Sequence, residues 1–295
     1  YDDIDLVVNW ERDGEEVKQY IVERYPYLKG KWEWVAKNPD FYFREGLSYP
    51  RAARGYSARI LVRYLPRGCI FGSGGNSIFW HSNKALWSGL AILNSQWACF
   101  TLLLLAPRLW EGGVVASLPW ALEDSPHAIL ADLAREAYDM LREWDTGNET
   151  STIFTRPWIL QVKQGFKSEE KPVTGHPFSK QFRWSNRDSL KRIRSITGNK
   201  DLSLKELAEF AVRREKLMRS RLSALRKEID EEVYRIYNIS IEDRQLIERE
   251  LALRLGETLD GLPEIETKVE DHVARLVSFY VKQALESDPD GLVPI

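Results

Sequence analysis

The spacing of apolar residues predicts a lead-in segment and then a small β-sheet in the first part of the chain. Residues 4–10 are rich in apolar and β-branched side chains, which predicts a strand, and residues 15–25 have the spacing of a helix that stops before Pro26. From Gly46 onward, short apolar runs alternate with turns that contain Pro or Gly. These runs predict strands at 58–64, 69–71 and 77–80.

The remainder of the chain mostly has the apolar spacing of helices. A strongly apolar helix is predicted from Asn83 to the residue before Pro107, whereas residues 112–118 have the composition of a strand. Ser125 and Pro126 are typical of the N-cap and the first position of another helix. Further helices are predicted at 203–237, 240–256 and 263–285.

These elements predict an α+β fold in which a small mixed β-sheet domain is followed by a mainly helical region. With 295 residues, of which 43% are hydrophobic, the chain can bury a sizeable core. We expect four parts along the sequence. They are a lead-in strand and helix at 1–30, the β-sheet domain at 31–120, a helix and basic loop connection at 121–202, and a helical hairpin or bundle at 203–295.

Charge is distributed very unevenly, although the formal net charge is −2. Residues 41–110 carry a local net charge of +7, residues 175–200 carry +6, and the rest of the chain carries −15. Basic segments on an acidic protein attract phosphate locally even when the total charge is slightly negative. The charge pattern therefore predicts two segments that bind nucleic acid.

The stretch from Arg44 to Phe79 is the strongest candidate for DNA contact. It holds six arginines and one acid, Glu45, so ion pairs within the stretch cannot neutralise its charge. Arginine binds phosphates and guanine edges, and Asn and Ser reach phosphates and base edges. The residues predicted to bind DNA are Arg51, Arg54, Tyr56, Ser57, Arg59, Ser73, Asn76, Ser77 and Lys84, together with Lys180, Arg183 and Arg187 of the second basic segment.

Sequences that resemble catalytic or cofactor-binding motifs are discounted on their context. The glycine run at 71–76 precedes a predicted strand rather than a helix, which favours a tight turn over a nucleotide-binding loop. Residues 38–41 resemble the Asn-Pro-Pro-aromatic motif of adenine methyltransferases, but Asp40 replaces the second proline. Glu266 and Lys268 have a nuclease-like spacing but lie in a predicted helix. We therefore predict no catalytic residue, cofactor site or metal site in this chain.

Three features of the sequence indicate the cellular compartment: the cysteines, the histidines and the lengths of the apolar runs. Cys69 and Cys99 lie in apolar surroundings without metal-ligand spacing, as expected for buried thiols in the reducing cytoplasm. The four histidines also lack ligand spacing. No apolar run approaches the roughly 20 residues of a membrane span, so no membrane partner is expected. Because the first residue is Tyr1 rather than Met, we expect a piece of a longer polypeptide.

Several segments resemble a known family in order and spacing. They are FYFREGLSYPRAARGYSARILVRYLPRGCIFGSGGNSIF at 41–79, LAILNSQ at 90–96 and GGVVASLPW at 112–120, with WDTGNETSTIFTRPW at 144–158 and LRKEIDEEVYRIYNISIEDRQLIE at 225–248. The chain resembles, over most of residues 30–250, the target-recognition and C-terminal region of large adenine-specific DNA methyltransferases. These are the PglX-like proteins of BREX phage defence and related fused (type IIG-like) restriction-modification enzymes.

The resemblance implies a DNA-reading role without catalysis by this chain alone. In that family, methyl transfer to adenine N6 uses S-adenosylmethionine and the Asn-Pro-Pro-aromatic motif, both upstream of the similar region. The implied partners are double-stranded DNA, the N-terminal methyltransferase domain of the same polypeptide, and other defence-system proteins. An alternative from another class is a helical protein-interaction scaffold, in which the arginines meet an acidic protein surface.

Overall fold

The computed structural model describes residues 6–52, 59–72, 75–80, 85–120, 127–165, 202–255 and 267–287. The chain divides into two compact units, and each unit is built from two separate stretches. Unit 1 comprises residues 1–138 and 223–263, and unit 2 comprises residues 139–222 and 264–295.

Unit 1 opens with a helix rather than with the predicted strand. Residues 6–10 form no strand, and Val7 is 98% exposed, so the strand prediction at 4–10 is wrong for the residues described. Helix α1 (Glu11–Arg24) follows, but its first turn is irregular and the regular helix begins at Glu15, as predicted. Short 3-10 turns follow at Pro26–Leu28, Trp32–Trp34 and Pro39–Phe41.

A three-stranded antiparallel sheet forms the β part of unit 1. Its strands are β1 (Gly46–Pro50), β2 (Arg63–Leu65) and β3 (Gly75–Ile78), in the order β2-β1-β3. The α+β class is confirmed, but the described sheet is antiparallel rather than mixed. The predicted strand at 69–71 is wrong, because these residues lie outside the three described strands, although Cys69 O accepts a hydrogen bond from Phe43 N at 2.8 Å.

The predicted apolar helix is two helices, α2 (Leu86–Leu93) and α3 (Gln96–Leu105). The chain breaks between α2 and α3 at Asn94. Its side-chain oxygen accepts a hydrogen bond from Val62 N, and its side-chain nitrogen donates one to Val62 O, both at 2.9 Å. Ser95 then caps α3 by accepting a hydrogen bond from Ala98 N. Helices α2 and α3 are bent by 68°, and among the described residues no single helix is long and apolar enough to cross a membrane.

The predicted strand at 112–118 is wrong, because helix α4 (Gly112–Ala116) lies there. The amides of Val114 and Val115 donate to Glu111 O at 2.9 and 3.1 Å. These backbone groups are therefore satisfied locally and do not need a neighbouring strand.

The remaining described helices agree with the predicted helical region. They are α5 (Ala128–Asp145), α6 (Trp158–Gly165), α7 (Leu204–Ile236), α8 (Ile241–Leu255) and α9 (Val269–Ser287). Both α5 and α7 contribute residues to each unit. The predicted capping box of α7 is confirmed, since Ser203 N donates to Glu206 Oε2 at 2.8 Å and Glu206 N donates back to Ser203 Oγ.

Each unit has its own apolar core. In unit 1, the inner face of the sheet packs with α2, α3, the end of α7 and α8, as shown by the burial of Leu47, Leu93, Val233 and Leu251. In unit 2, buried residues of α6, the start of α7 and α9 form a smaller cluster that includes Trp158, Leu207 and Leu276. The core of unit 1 holds the sheet in place and leaves its strand ends at the surface.

Candidate nucleic-acid interface

Exposed arginines lie at the ends of two strands in unit 1. Arg44 precedes β1 and Arg51 directly follows it, while Arg63 begins β2 and Arg67 follows its end. Because β1 and β2 are antiparallel, Arg44 and Arg67 lie at one end of the sheet and Arg51 lies at the other. The fold therefore spreads positive charge along the sheet rather than at one point.

The partners of these arginines differ. Arg51 pairs with Glu111, with Nη2 to Oε1 at 2.5 Å, and its side chain remains 47% exposed. The Arg67 Nε atom lies 4.0 Å from Glu45 Oε2, and the Arg67 side chain is 79% exposed. The Arg44 guanidinium lies over aromatic rings, 5.0 Å from the centroid of Phe41. Solvent-exposed ion pairs are weak, so a phosphate can compete for these side chains.

Arg59 does not belong to this surface. Its side chain is 6% exposed, and its Nη2 donates to Asp230 Oδ2 at 2.7 Å. Nη1 donates to Asp230 Oδ1 at 3.1 Å and to the carbonyl of Asn94 at 2.8 Å. The structure corrects the expectation that Arg59 contacts DNA, because its guanidinium forms an ion pair inside unit 1.

A cleft of about 680 Å³ opens beside β3. Six of its wall residues are aromatic, namely Phe41, Tyr49, Phe71, Phe79, Trp80 and Trp120. Its polar wall residues include Lys37, Asn38, Asn76 and Ser77. The structure thus brings the predicted residues Asn76 and Ser77 into one concave site with aromatic rings that the sequence did not single out.

Asn76 and Ser77 mainly support the wall of this cleft. The Asn76 amide donates to Trp110 O at 3.0 Å, and Asn76 also hydrogen-bonds Tyr49. Burial raises the pKa of Tyr49, so its phenol stays protonated near neutral pH. The Ser77 hydroxyl is shielded from solvent and has no hydrogen-bond partner among the described residues. The Asn76 amide group is thus engaged inside the protein, and the Ser77 hydroxyl is not exposed to a ligand in this conformation.

The aromatic rings of the cleft contact one another. The Phe79 ring lies 5.3 Å from Phe41 and 5.6 Å from Phe71, measured between centroids. Trp80 and Trp120 meet edge to face at 6.3 Å. Such contacts between rings hold the side chains in defined positions.

Two glycines are required where these rings approach the backbone. A Cβ atom at position 46 would come within 2.8 Å of the Phe79 ring, and one at position 89 would come within 2.6 Å of Trp80. Gly46 lies in β1 and Gly89 lies in α2, so the aromatic rings of the cleft pack against both the sheet and the core helix. The rings are positioned by elements of the core rather than by a surface loop alone.

The segment Asn38-Pro39-Asp40-Phe41, whose Asp40 departs from the Asn-Pro-Pro-aromatic motif, borders the cleft. Pro39–Phe41 form a 3-10 turn, Asn38 has a φ of 55°, and Asn38 and Phe41 both line the cleft. No pattern in the sequence linked this segment to residues 71–80, because tertiary contacts bring the two together, including the pairing of β1 with β3 and the edge-to-face contact of Tyr42 with Phe71. This segment is the main feature of the site that sequence reasoning missed.

Several predicted contact residues lie outside the described part of the chain. They are Arg54, Tyr56, Ser57, Ser73, Lys84, Lys180, Arg183 and Arg187. Glu266 of the discounted Glu-x-Lys sequence lies outside it as well. Their roles remain predictions from the sequence.

The described residues contain no group of His, Cys, Asp or Glu that could hold a metal ion. Cys69 and Cys99 are both thiols rather than disulfide partners, and burial raises the pKa of the Cys99 thiol to about 12. Burial also raises the pKa of Cys69. Both thiols are therefore poor nucleophiles at neutral pH.

The chain is related over about half of its length to adenine-specific methyltransferases. No family model matches it. It is similar to the adenine-specific methyltransferase PglX of Lacticaseibacillus casei (strain Zhang), with 32% identity over 161 residues. It is also similar to the adenine-specific methyltransferase BrxX of Escherichia coli O9:H4 (strain HS), with 28% identity over 164 residues. Each match covers 54% of this chain but only 13% and 12% of the two relatives.

Proposed function

We propose that this chain is the sequence-specific double-stranded DNA recognition module of an adenine-N6 DNA methyltransferase of phage defence or restriction-modification. The observation that carries the proposal is the row of exposed arginines along the sheet of unit 1, in a chain whose relatives are adenine-specific methyltransferases. The methyltransferase domain that would bind S-adenosylmethionine is an upstream part of the same polypeptide. The setting is the cytoplasm, and other defence proteins are further partners.

The spacing of the arginines suits a DNA backbone. Arg44 and Arg51 flank β1 and are seven positions apart along the chain, which corresponds to at most about 24 Å at the rise of a strand. One strand of B-DNA carries a phosphate about every 3.4 Å along the axis, so the two arginines can meet phosphates up to about seven positions apart. In this proposal, Arg44, Arg51, Arg63 and Arg67 position the duplex, and base contacts come from side chains beside them.

The second basic segment has a supporting role in the proposal. In this segment the DNA backbone is bound by Lys180, Arg183 and Arg187. Further DNA contacts, next to the arginines of the sheet, come from Arg54, Tyr56, Ser57, Ser73 and Lys84. Asn76 and Ser77 act by supporting the cleft wall, since Asn76 is bonded internally to Trp110.

The test is a salt titration of duplex binding. The variant Arg44→Ala/Arg51→Ala is compared with Arg249→Ala/Arg254→Ala, which removes the same charge from exposed positions on α8. Each lost phosphate contact lowers the slope of log affinity against log salt by about 0.9, so the first variant should lose about 1.8 from the slope and bind more weakly. The α8 variant should retain the slope of the original chain.

Fluorescence anisotropy with a labelled duplex measures both quantities. The site assignment fails if the two double variants behave alike. The function itself fails if the unmodified chain binds duplex DNA without any dependence on salt.

A second candidate function is a protein-interaction scaffold, which an exposed apolar stripe on α9 favours. Val277, Tyr280, Val281 and Leu285 are 57%, 53%, 46% and 41% exposed and follow helical spacing. A stripe of this kind fits the apolar groove or helix of a partner. Under this function, DNA affinity would be weak and the salt slope shallow, so the same titration separates the two candidates.

A further inference from the structure

We infer that the aromatic cleft of unit 1 binds an unstacked nucleobase. This inference rests on the proposed function, in that it assumes contact with DNA. Arg44 belongs to both sites, but the groups that would hold the base are the aromatic rings of the cleft rather than the row of arginines. The cleft volume of about 680 Å³ lies within the range of roughly 300–1,000 Å³ that is usual for pockets holding small planar ligands. An edge-on base pair inside a stacked duplex cannot enter a concave site of this kind.

The walls of the cleft suit the face of a base. Phe41, Phe71 and Phe79 form a continuous series of ring contacts, and Phe41 is 40% exposed. Every nucleobase has a π-face, and aromatic side chains at exposed sites bind bases by stacking. An apolar ligand without aromatic character would gain the same burial but not the stacking contact.

The cationic and amide groups at the cleft suit the rest of a nucleotide. Arg44 lies over both Phe41 and Phe79, at 5.0 and 5.5 Å from the ring centroids. Lys37 and Asn38 are exposed and line the cleft. A base stacked on the rings would place its phosphate near these cations, and the Asn38 amide can bond the edge of the base.

An unstacked base can come from two sources, which share this chemistry. It can be turned out of a duplex, or it can belong to a single-stranded segment. The experiment therefore compares three oligonucleotides of matched sequence: a fully paired duplex, the same duplex with one unpaired adenine, and the single strand.

The full chain is titrated with each oligonucleotide, and affinities are measured by anisotropy. We expect the duplex with an unpaired adenine, the single strand, or both to bind roughly tenfold more tightly than the paired duplex, since stacking on an aromatic platform favours a base that is already unstacked. Whichever of these two oligonucleotides binds more tightly identifies the source of the unstacked base. Phe79→Leu and Phe41→Leu should reduce this preference by roughly fivefold or more, because leucine keeps apolar contact but has no ring.

Tyr27→Leu is the matched control, since Tyr27 is 74% exposed and does not line the cleft. It should leave the preference unchanged. Thermal melting of each variant verifies folding. If Phe79→Leu does not fold, Phe41→Leu alone provides the test, since Phe41 is partly exposed.

The outcomes separate this inference from the proposed function. Equal affinity for all three oligonucleotides overturns the inference and leaves duplex recognition standing. A preference that survives both Phe→Leu substitutions also overturns it, because the unstacked base then binds elsewhere. Binding of unpaired bases without measurable duplex binding supports the inference and refutes the proposed function, whereas no DNA binding refutes both.

Discussion

At the scale of single residues, the role of an arginine depends on which acid the fold brings to it. Arg59 and Asp230 are 171 positions apart, yet they form a bidentate pair in the interior of unit 1. Asp230 Oδ1 also accepts a hydrogen bond from Gln96 N, at 2.8 Å. Gln96 is the first residue of α3, so the carboxylate also meets the positive end of that helix.

We expect Asp230→Asn to destabilise unit 1 strongly. Removing one charge of a buried pair leaves the other uncompensated and typically costs about 3–5 kcal/mol. The double variant Arg59→Met/Asp230→Leu should lose less, because apolar residues of similar size can replace a buried pair. Chemical denaturation followed by tryptophan fluorescence measures the free energy of unfolding. A loss below about 1 kcal/mol for Asp230→Asn would show that water reaches the pair.

At the scale of elements, contacts around Glu215 join α7 to α9 inside unit 2. Thr267 Oγ1 donates to Glu215 Oε1 at 2.5 Å, and Arg219 Nη2 donates to the same oxygen at 3.2 Å. His272 Nε2 lies 3.3 Å from Glu215 Oε2, and both side chains are buried. Burial raises the pKa of Glu215, but the contact with His272 and the hydrogen bonds from Thr267 and Arg219 outweigh burial, so the pKa of Glu215 is below its ordinary value.

A lowered pKa gives the stability of unit 2 a defined dependence on pH. The charged form of Glu215 stabilises the fold above the unfolded-state pKa of about 4.3, and this contribution is lost as the pH falls through the lower pKa of the folded state. Glu215→Gln should therefore lower the melting temperature at pH 7. The difference from the unmodified chain should shrink as the pH falls below about 4.3, because the original side chain then becomes protonated, first in the unfolded state and at lower pH in the folded state.

Glu286→Gln is the control for this prediction, because Glu286 is exposed on the same helix as His272. Its effect on the melting temperature should be small at every pH. A constant difference between Glu215→Gln and the unmodified chain from pH 7 to pH 3.5 would contradict an effect of ionisation.

Elements whose signals are local were predicted well, and those that depend on distant partners were not. The helix at 204–236 starts at a capping box and carries a regular apolar stripe, and both signals lie within its own sequence. Residues 112–118 have strand-like composition, but residues 112–116 form α4, in which the amides of Val114 and Val115 donate to the Glu111 carbonyl. The break at Asn94 likewise requires Val62, which is 32 positions away.

At the scale of the whole molecule, the chain is proposed to bind DNA without binding the methyl donor. The glycine turn is closed by Gly75 N donating to Gly72 O at 3.1 Å and leads directly into β3, which pairs antiparallel with β1. A dinucleotide or S-adenosylmethionine loop leads instead into a helix, whose first amides bind the ligand. The described part of this turn therefore does not have the geometry of such a loop.

We expect isothermal titration calorimetry of the chain with S-adenosylmethionine to show no saturable heat. The melting temperature should also remain constant as the compound is added, since a ligand that binds only the folded state raises it. Saturable binding in the micromolar range would contradict this prediction and indicate a cofactor site in this chain.

The sequence by itself determined the α+β class, the helices at 204–236 and 241–255, and the excess of arginine around the sheet. Apolar period, caps and local charge are properties of neighbouring residues, so they can be read along the chain. Only the tertiary structure decided which arginines stay at the surface. Arg59 is buried in an ion pair with Asp230, whereas Arg51 remains exposed in its ion pair with Glu111. It also decided that Asn38 and Phe41 join Phe71 and Phe79 in one cleft, because strand pairing brings together residues that no local pattern connects.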